Sequence, residues 1–134
     1  MTATHESLQL FKADQFQPAE NDAQRLVLAN DADPRAASLD GITTIELQFP
    51  KFADGRAFSQ AFLLRRRLGF SGQIRATGDV LIDQLLQMQR SGFTQAVLRA
   101  DQSLPVGEKL LRHYPAFYQG DVVQAAPLFA RKVA

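Results

Sequence analysis

From residue 25 onward, strand-sized apolar runs alternate with helix-patterned segments, and that alternation restricts the fold more than any other feature. RLVLAND, residues 25–31, is short and apolar, and ITTIELQF, residues 42–49, is β-branched and stopped by Pro50. QIRAT at 73–77 and AVLRA at 96–100 are of the same kind, and AFYQG at 116–120 is a last short candidate. Between them, DADPRAASL has an early proline and reads as a short helix. In residues 55–68, Ala57, Ala61, Leu64 and Leu68 share a helical stripe with Phe58 and Phe62 beside it, and Gly69 suits the C-terminal cap. Asp79 reads as the N-cap of a helix through Arg90 that Gly92 ends, with Leu81, Leu85 and Met88 on one face. Residues 104–113 read as a further helix.

The expected fold is α/β: one small domain with a mostly parallel sheet of four to five strands joined by βαβ crossovers. A partial βα barrel is the alternative, because strand-sized runs keep recurring. A chain of 134 residues suits one domain. Residues 1–24 are polar and aperiodic, so a poorly ordered N-terminal arm is expected there, with room for one short strand at 8–11. Residues 25–134 are expected to form the single α/β domain.

Cysteine is absent, which removes disulfides, thiol redox chemistry and thiolate metal sites. His5 and His113 are isolated and give no metal pattern. No GxGxxG, GxxxxGK[ST] or GxSxG string occurs, so no cofactor is expected and no nucleophilic residue is identified. The opening MTATHESLQLFKADQ lacks the apolar and basic regions of a secretory signal, and no run nears the ~18 apolar residues that span a bilayer. A cytoplasmic protein without membrane contact is expected. The net charge of +1 hides an asymmetry. Residues 1–54 hold nine acids and four bases, whereas residues 55–134 hold five acids and eleven bases. The second part can attract an anion, but it is too mildly basic to argue for nucleic acid.

In a parallel α/β fold every βα loop lies beyond the carboxyl ends of the strands, where ligands bind. Lys51, Asp54, Gly55 and Arg56 follow one strand, Gly78 and Asp79 follow the next, and Arg75 lies just before them. Arg99, Asp101, Gln102 and Ser103 follow a third. These residues are expected to share one rim, with Lys51, Arg56 and Arg75 as cationic contacts to a small oxyanion. The same residues also suit a structural role, the stronger of the two readings: aspartates cap, glycines turn, and an Arg–Asp pair locks two loops. Asp83 projects away from Leu85 and is expected in solvent or at a protein contact, while Gln84 is near enough to reach the rim. Arg65, Arg66 and Arg67 are read as structural, complementing the end of their helix. Arg65 is expected to pair with an acid under the sheet.

The pieces FPxFxDGR, LRxRLG, RAxGDV and DQ, between Phe49 and Gln84, resemble a bacterial family of uncharacterised small proteins, a domain of unknown function. Its members are often encoded beside assimilatory sulfite reductase and are sometimes labelled oxidoreductases. By that resemblance Phe49, Pro50, Phe52, Asp54, Gly55, Arg56, Arg65, Gly69, Arg75, Ala76, Gly78, Asp79, Val80, Asp83 and Gln84 match the family's signature. It implies cysteine in many relatives where this chain has Ser91. It also implies a link to sulfur assimilation and, as partner, sulfite reductase or another protein of that pathway. Two functions follow. One is an accessory or binding protein whose charged rim takes a small oxyanion or a partner protein. The other is a small enzyme, an oxidoreductase among the options, with Asp54 or Asp79 as acid or base and Arg56 holding an anionic substrate. A homo-oligomer that uses Asp83 and Gln84 at its contact is a third, structural possibility.

Overall fold

Among the described residues five strands, all parallel to their neighbours, form one sheet in the order β1-β5-β4-β3-β2. They are β1 (Gln9–Lys12), β2 (Arg25–Leu28), β3 (Thr44–Phe49), β4 (Gln73–Gly78) and β5 (Gln95–Leu98). The helices are α1 (Arg56–Phe62), α2 (Leu85–Ser91) and α3 (Leu104–His113). The structure is a computed structural model that describes residues 8–18, 21–51 and 55–114. The fold is the expected α/β domain with an open parallel sheet. Among the described residues, no helix is long and apolar enough to cross a membrane.

The steps β2 to β3, β3 to β4 and β4 to β5 all run the same way across the sheet. Right-handed crossovers of one direction put their helices on one face. The strand pleat supplies the matching side chains: Ile45, Leu47, Phe49, Ile74, Ala76, Ala96 and Leu98 are buried in one cluster with Ala57, Ala61, Leu64, Leu85 and Met88. Val80 and Phe93 complete it from the connections.

The opposite face carries a different chemistry. Glu46, Arg75 and Gln95 are in register on β3, β4 and β5, so they form one row across the sheet. Arg75 is 2% exposed. Its Nη1 donates to Glu46 Oε2 at 2.6 Å and its Nε to Gln95 Oε1 at 2.8 Å. Phe16, which follows β1, covers this row, with its ring 4.6 Å from the guanidinium. Phe16 in turn packs edge-on against Phe11 of β1, with ring centroids 4.9 Å apart. A buried arginine that keeps its charge needs this kind of pairing.

Several local readings shift. The helix expected after Asp33 is only a 3₁₀ turn, Pro34–Ala36, because Asp33 Oδ1 accepts from Arg35 N–H and the chain turns extended at Ala37. The helix expected over 55–68 is α1 followed by a π-turn, Leu63–Arg67. Asp79 is not an N-cap. The chain stays extended at Leu81, and Gln84 Oε1 accepts the Leu81 N–H before a 3₁₀ turn (Ile82–Gln84) leads into α2. Gly69 and Gly92 are left-handed, as their cap positions require. The strand expected near 8–11 is β1, an edge strand hydrogen-bonded to β5. The strand expected at 116–120 lies outside the described residues.

Arg65 bonds carbonyls: Nε donates to Gly92 O at 3.0 Å, and Nη1 to Phe70 O at 2.9 Å and Gly72 O at 2.7 Å. It therefore fastens the π-turn to the starts of the chains entering β4 and β5. The acid expected beside it is replaced by these oxygens. Burial pushes its guanidinium down to about 10, still charged at neutral pH.

Candidate functional site

The ends of β3, β4 and β5 meet at one edge, as the parallel topology demands. Phe49 and Gly78 are register partners, and the Asp79 N–H donates to Phe49 O at 2.7 Å. Arg99 N–H donates to Val80 O at 3.1 Å, which ties the β5 corner to the β4 corner. Asn30 Nδ2 reaches Gln48 O at 3.1 Å, and Gln60 Nε2 donates to Ala29 O and Ala32 O at 2.9 Å each, so the β2 corner is fastened too.

Side chains reinforce the same corners. Arg99 Nη1 donates to Asp79 Oδ1 at 2.6 Å, while its Nε and Nη2 hold both oxygens of Asp101 at 2.6 and 2.9 Å. Gln102 Oε1 accepts from Ile82 N–H at 3.0 Å, and Ser103 Oγ accepts from Val106 N–H to cap α3. The bonds to Asp101 and then Asp79 hold the Arg99 guanidinium above its ordinary range. Arg99 in turn holds the Asp101 carboxyl below the usual aspartate range.

That depression has a testable sign. The group's contribution to stability is present above the ordinary aspartate value and is lost as pH falls through the depressed one. A carbon-13 titration of the Asp101 carboxyl is expected to give a midpoint below the ordinary aspartate value, and Arg99→Gln is expected to raise it. A midpoint that ignores Arg99→Gln would show that the pair does not persist in solution.

Of the residues singled out in the sequence, Lys51 follows β3, Gly55 and Arg56 stand at the start of α1, Gly78 ends β4 and Asp79 follows it. Lys51 and Arg56 are exposed, and Gly55 precedes α1 with φ +92°. Asp54 lies outside the described residues. Gln84 is half-buried and spent on capping the turn before α2, and Asp83 is exposed on that turn. Arg75 is not on the rim. It sits within β4 with its side chain on the opposite sheet face, because its pleat position alternates with those of Ile74 and Ala76 in the core. The residue that joins the rim's halves is Arg99. Its place after a strand was visible in the sequence; its choice of Asp79 as partner needed the two strands side by side.

An open cleft of about 560 Å³ lies away from this rim, on the outside of the helical layer. Arg35, Phe58, Ser59, Phe62, Leu63, Arg67 and Ser91 line it. Phe62, whose spacing puts it beside the helical stripe, is 49% exposed there.

Residues 25–129 match the family described as "Bacterial protein of unknown function (DUF934)". The chain belongs to the DUF934 family. In this DUF934 protein the match runs from β2 through α3 and includes the whole rim, while β1 precedes it. No curated protein and no solved structure matches the DUF934 chain.

Proposed function

We propose that the chain is an accessory binding protein of assimilatory sulfite reduction, whose strand-end rim recognises an anionic group. That group is a small oxyanion or a carboxylate on the face of a partner protein such as sulfite reductase. The observation that carries the reading is the locked edge. The corners of β3, β4 and β5 are bonded to one another through Phe49 O, Asp79 and Arg99, with Lys51 and Arg56 exposed beside them. A rigid edge need not order its backbone on binding. The link to sulfur assimilation rests on the resemblance of FPxFxDGR and RAxGDV. Asp79 acts as a tie between two loops, which favours binding over acid–base catalysis by this residue. The reading requires a cytoplasmic protein, where the reductase works.

Calorimetry with sulfite and with sulfate, and a pull-down with purified assimilatory sulfite reductase, separate the two anion sources. Lys51→Ala combined with Arg56→Ala is expected to weaken whichever binding occurs by about tenfold or more, equivalent to about 1.4 kcal/mol. The remaining affinity is expected to fall with added salt. If neither anion nor reductase binds the native chain, the reading is abandoned.

A further inference from the structure

The cleft on the helical layer has features that the rim reading does not use. Its floor is apolar and anchored. Phe58 packs edge-on against Phe49 and Phe93, with centroids 5.2 and 6.3 Å away, so the floor is continuous with the core. Phe62 and Leu63 extend that floor outward. Its margins are cationic. Arg35 is held by Asp33 through Nε and Nη2, at 3.1 and 2.9 Å, and stands on one side. Arg67 lines the cleft, and the Arg66 guanidinium lies 5.6 Å from the Phe62 ring. The π-turn supplies both, and its extra residue per turn re-aims side chains relative to an α-helix. Among the described residues two arginines and no acid line the cleft, and the nearby Asp33 is paired with Arg35.

We propose that this cleft docks an acidic segment of a partner protein. One large apolar side chain of that segment sits on Phe58, Phe62 and Leu63, and flanking carboxylates meet Arg67 and Arg35. Charge complementarity selects an acidic occupant, and the exposed aromatic floor selects one with an apolar anchor. A small molecule would leave most of its surface in water in so open a cleft, whereas small-ligand sites enclose theirs. A second copy docked across a two-fold axis would set the same cationic patch against itself. Nucleic acid is disfavoured by the chain's net charge of only +1.

The test uses the full chain and a short fluorescein-labelled peptide of glutamates around one central leucine, read by fluorescence anisotropy. Saturable binding is expected. Phe62→Ser and Arg67→Glu are each expected to weaken it by about tenfold or more, and both are surface changes whose folding circular dichroism checks. The rim variant Lys51→Ala with Arg56→Ala is expected to bind the peptide unchanged, so failure here and failure of the rim reading are distinguishable. Peptides with central alanine, or with lysine for glutamate, are expected to bind far more weakly. Absence of saturable binding up to about 1 mM would overturn the proposal. So would equal binding by the cleft variants, displacement by single-stranded oligothymidine in preference to acidic peptide, or a dimer in sedimentation that Phe62→Ser dissociates.

Discussion

Arg75→Ala is expected to cost about 3–5 kcal/mol of stability, read as a lower urea midpoint, the range for breaking a buried ion pair. The guanidinium is 2% exposed and bonds Glu46 at 2.6 Å and Gln95 at 2.8 Å beneath the Phe16 ring. Its removal leaves the Glu46 carboxylate, with only 11% of its side chain exposed, facing Arg25 at a longer 3.7 Å. Domains carry only about 5–15 kcal/mol in total, so the loss would be conspicuous. The paired replacement Arg75→Met with Glu46→Leu is expected to recover most of it, since two apolar groups carry no desolvation cost. The variant also separates fold from function. A rim contact would lose anion binding with stability intact; Arg75 is expected to do the reverse. A cost under about 1 kcal/mol for Arg75→Ala would mean that the row is open to water.

Gly78→Ala is expected to cost about 2–4 kcal/mol, combining the left-handed penalty with a displaced strand end. Gly78 has φ +98°, and a Cβ there would lie 2.5 Å from the Phe49 carbonyl oxygen. That oxygen already accepts the Asp79 N–H, so the clash and the rim's main backbone tie are at one atom. Gly55→Ala is the control. Its φ of +92° is similar, but a Cβ there meets nothing within 4 Å among the described residues, so a conformational cost of about 1–2 kcal/mol is expected. Thermal melts of the two variants measure the difference. Equal costs would show that the β3 and β4 corners give way freely, and the locked edge on which the binding reading depends would be lost.

Much of the architecture was legible because it is locally encoded. The β-branched run at 42–49 and the short runs at 73–77 and 96–100 are the cores of β3, β4 and β5, and residues 104–113 are α3. Gly69 and Gly92 marked helix ends because left-handed backbone is a single-residue property. Asp79 misled for a related reason. A Gly-Asp pair after a strand looks like a cap, and nothing local says that Arg99, twenty residues on, will claim the carboxylate instead. For Phe62, spacing shows a place beside the helical stripe but not how wide the facing layer is. In α1 Ala57, Gln60 and Ala61 are buried, whereas Phe62 is left outside.

Arg75 separates what the two levels of description can say. The two-residue period of a strand is enough to put it on the face opposite Ile74 and Ala76, although its nearness to Gly78 points to the rim, and the alternation of runs already implied parallel strands with a shared loop edge. Those are consequences of backbone geometry, and short stretches of chain carry them. The row Glu46–Arg75–Gln95, the Phe16 ring above it, β1 beside β5 and the Asp79–Arg99 tie were decided only by tertiary structure. Each joins residues far apart in the chain, and a partner exists only once the strands have been laid side by side and in register.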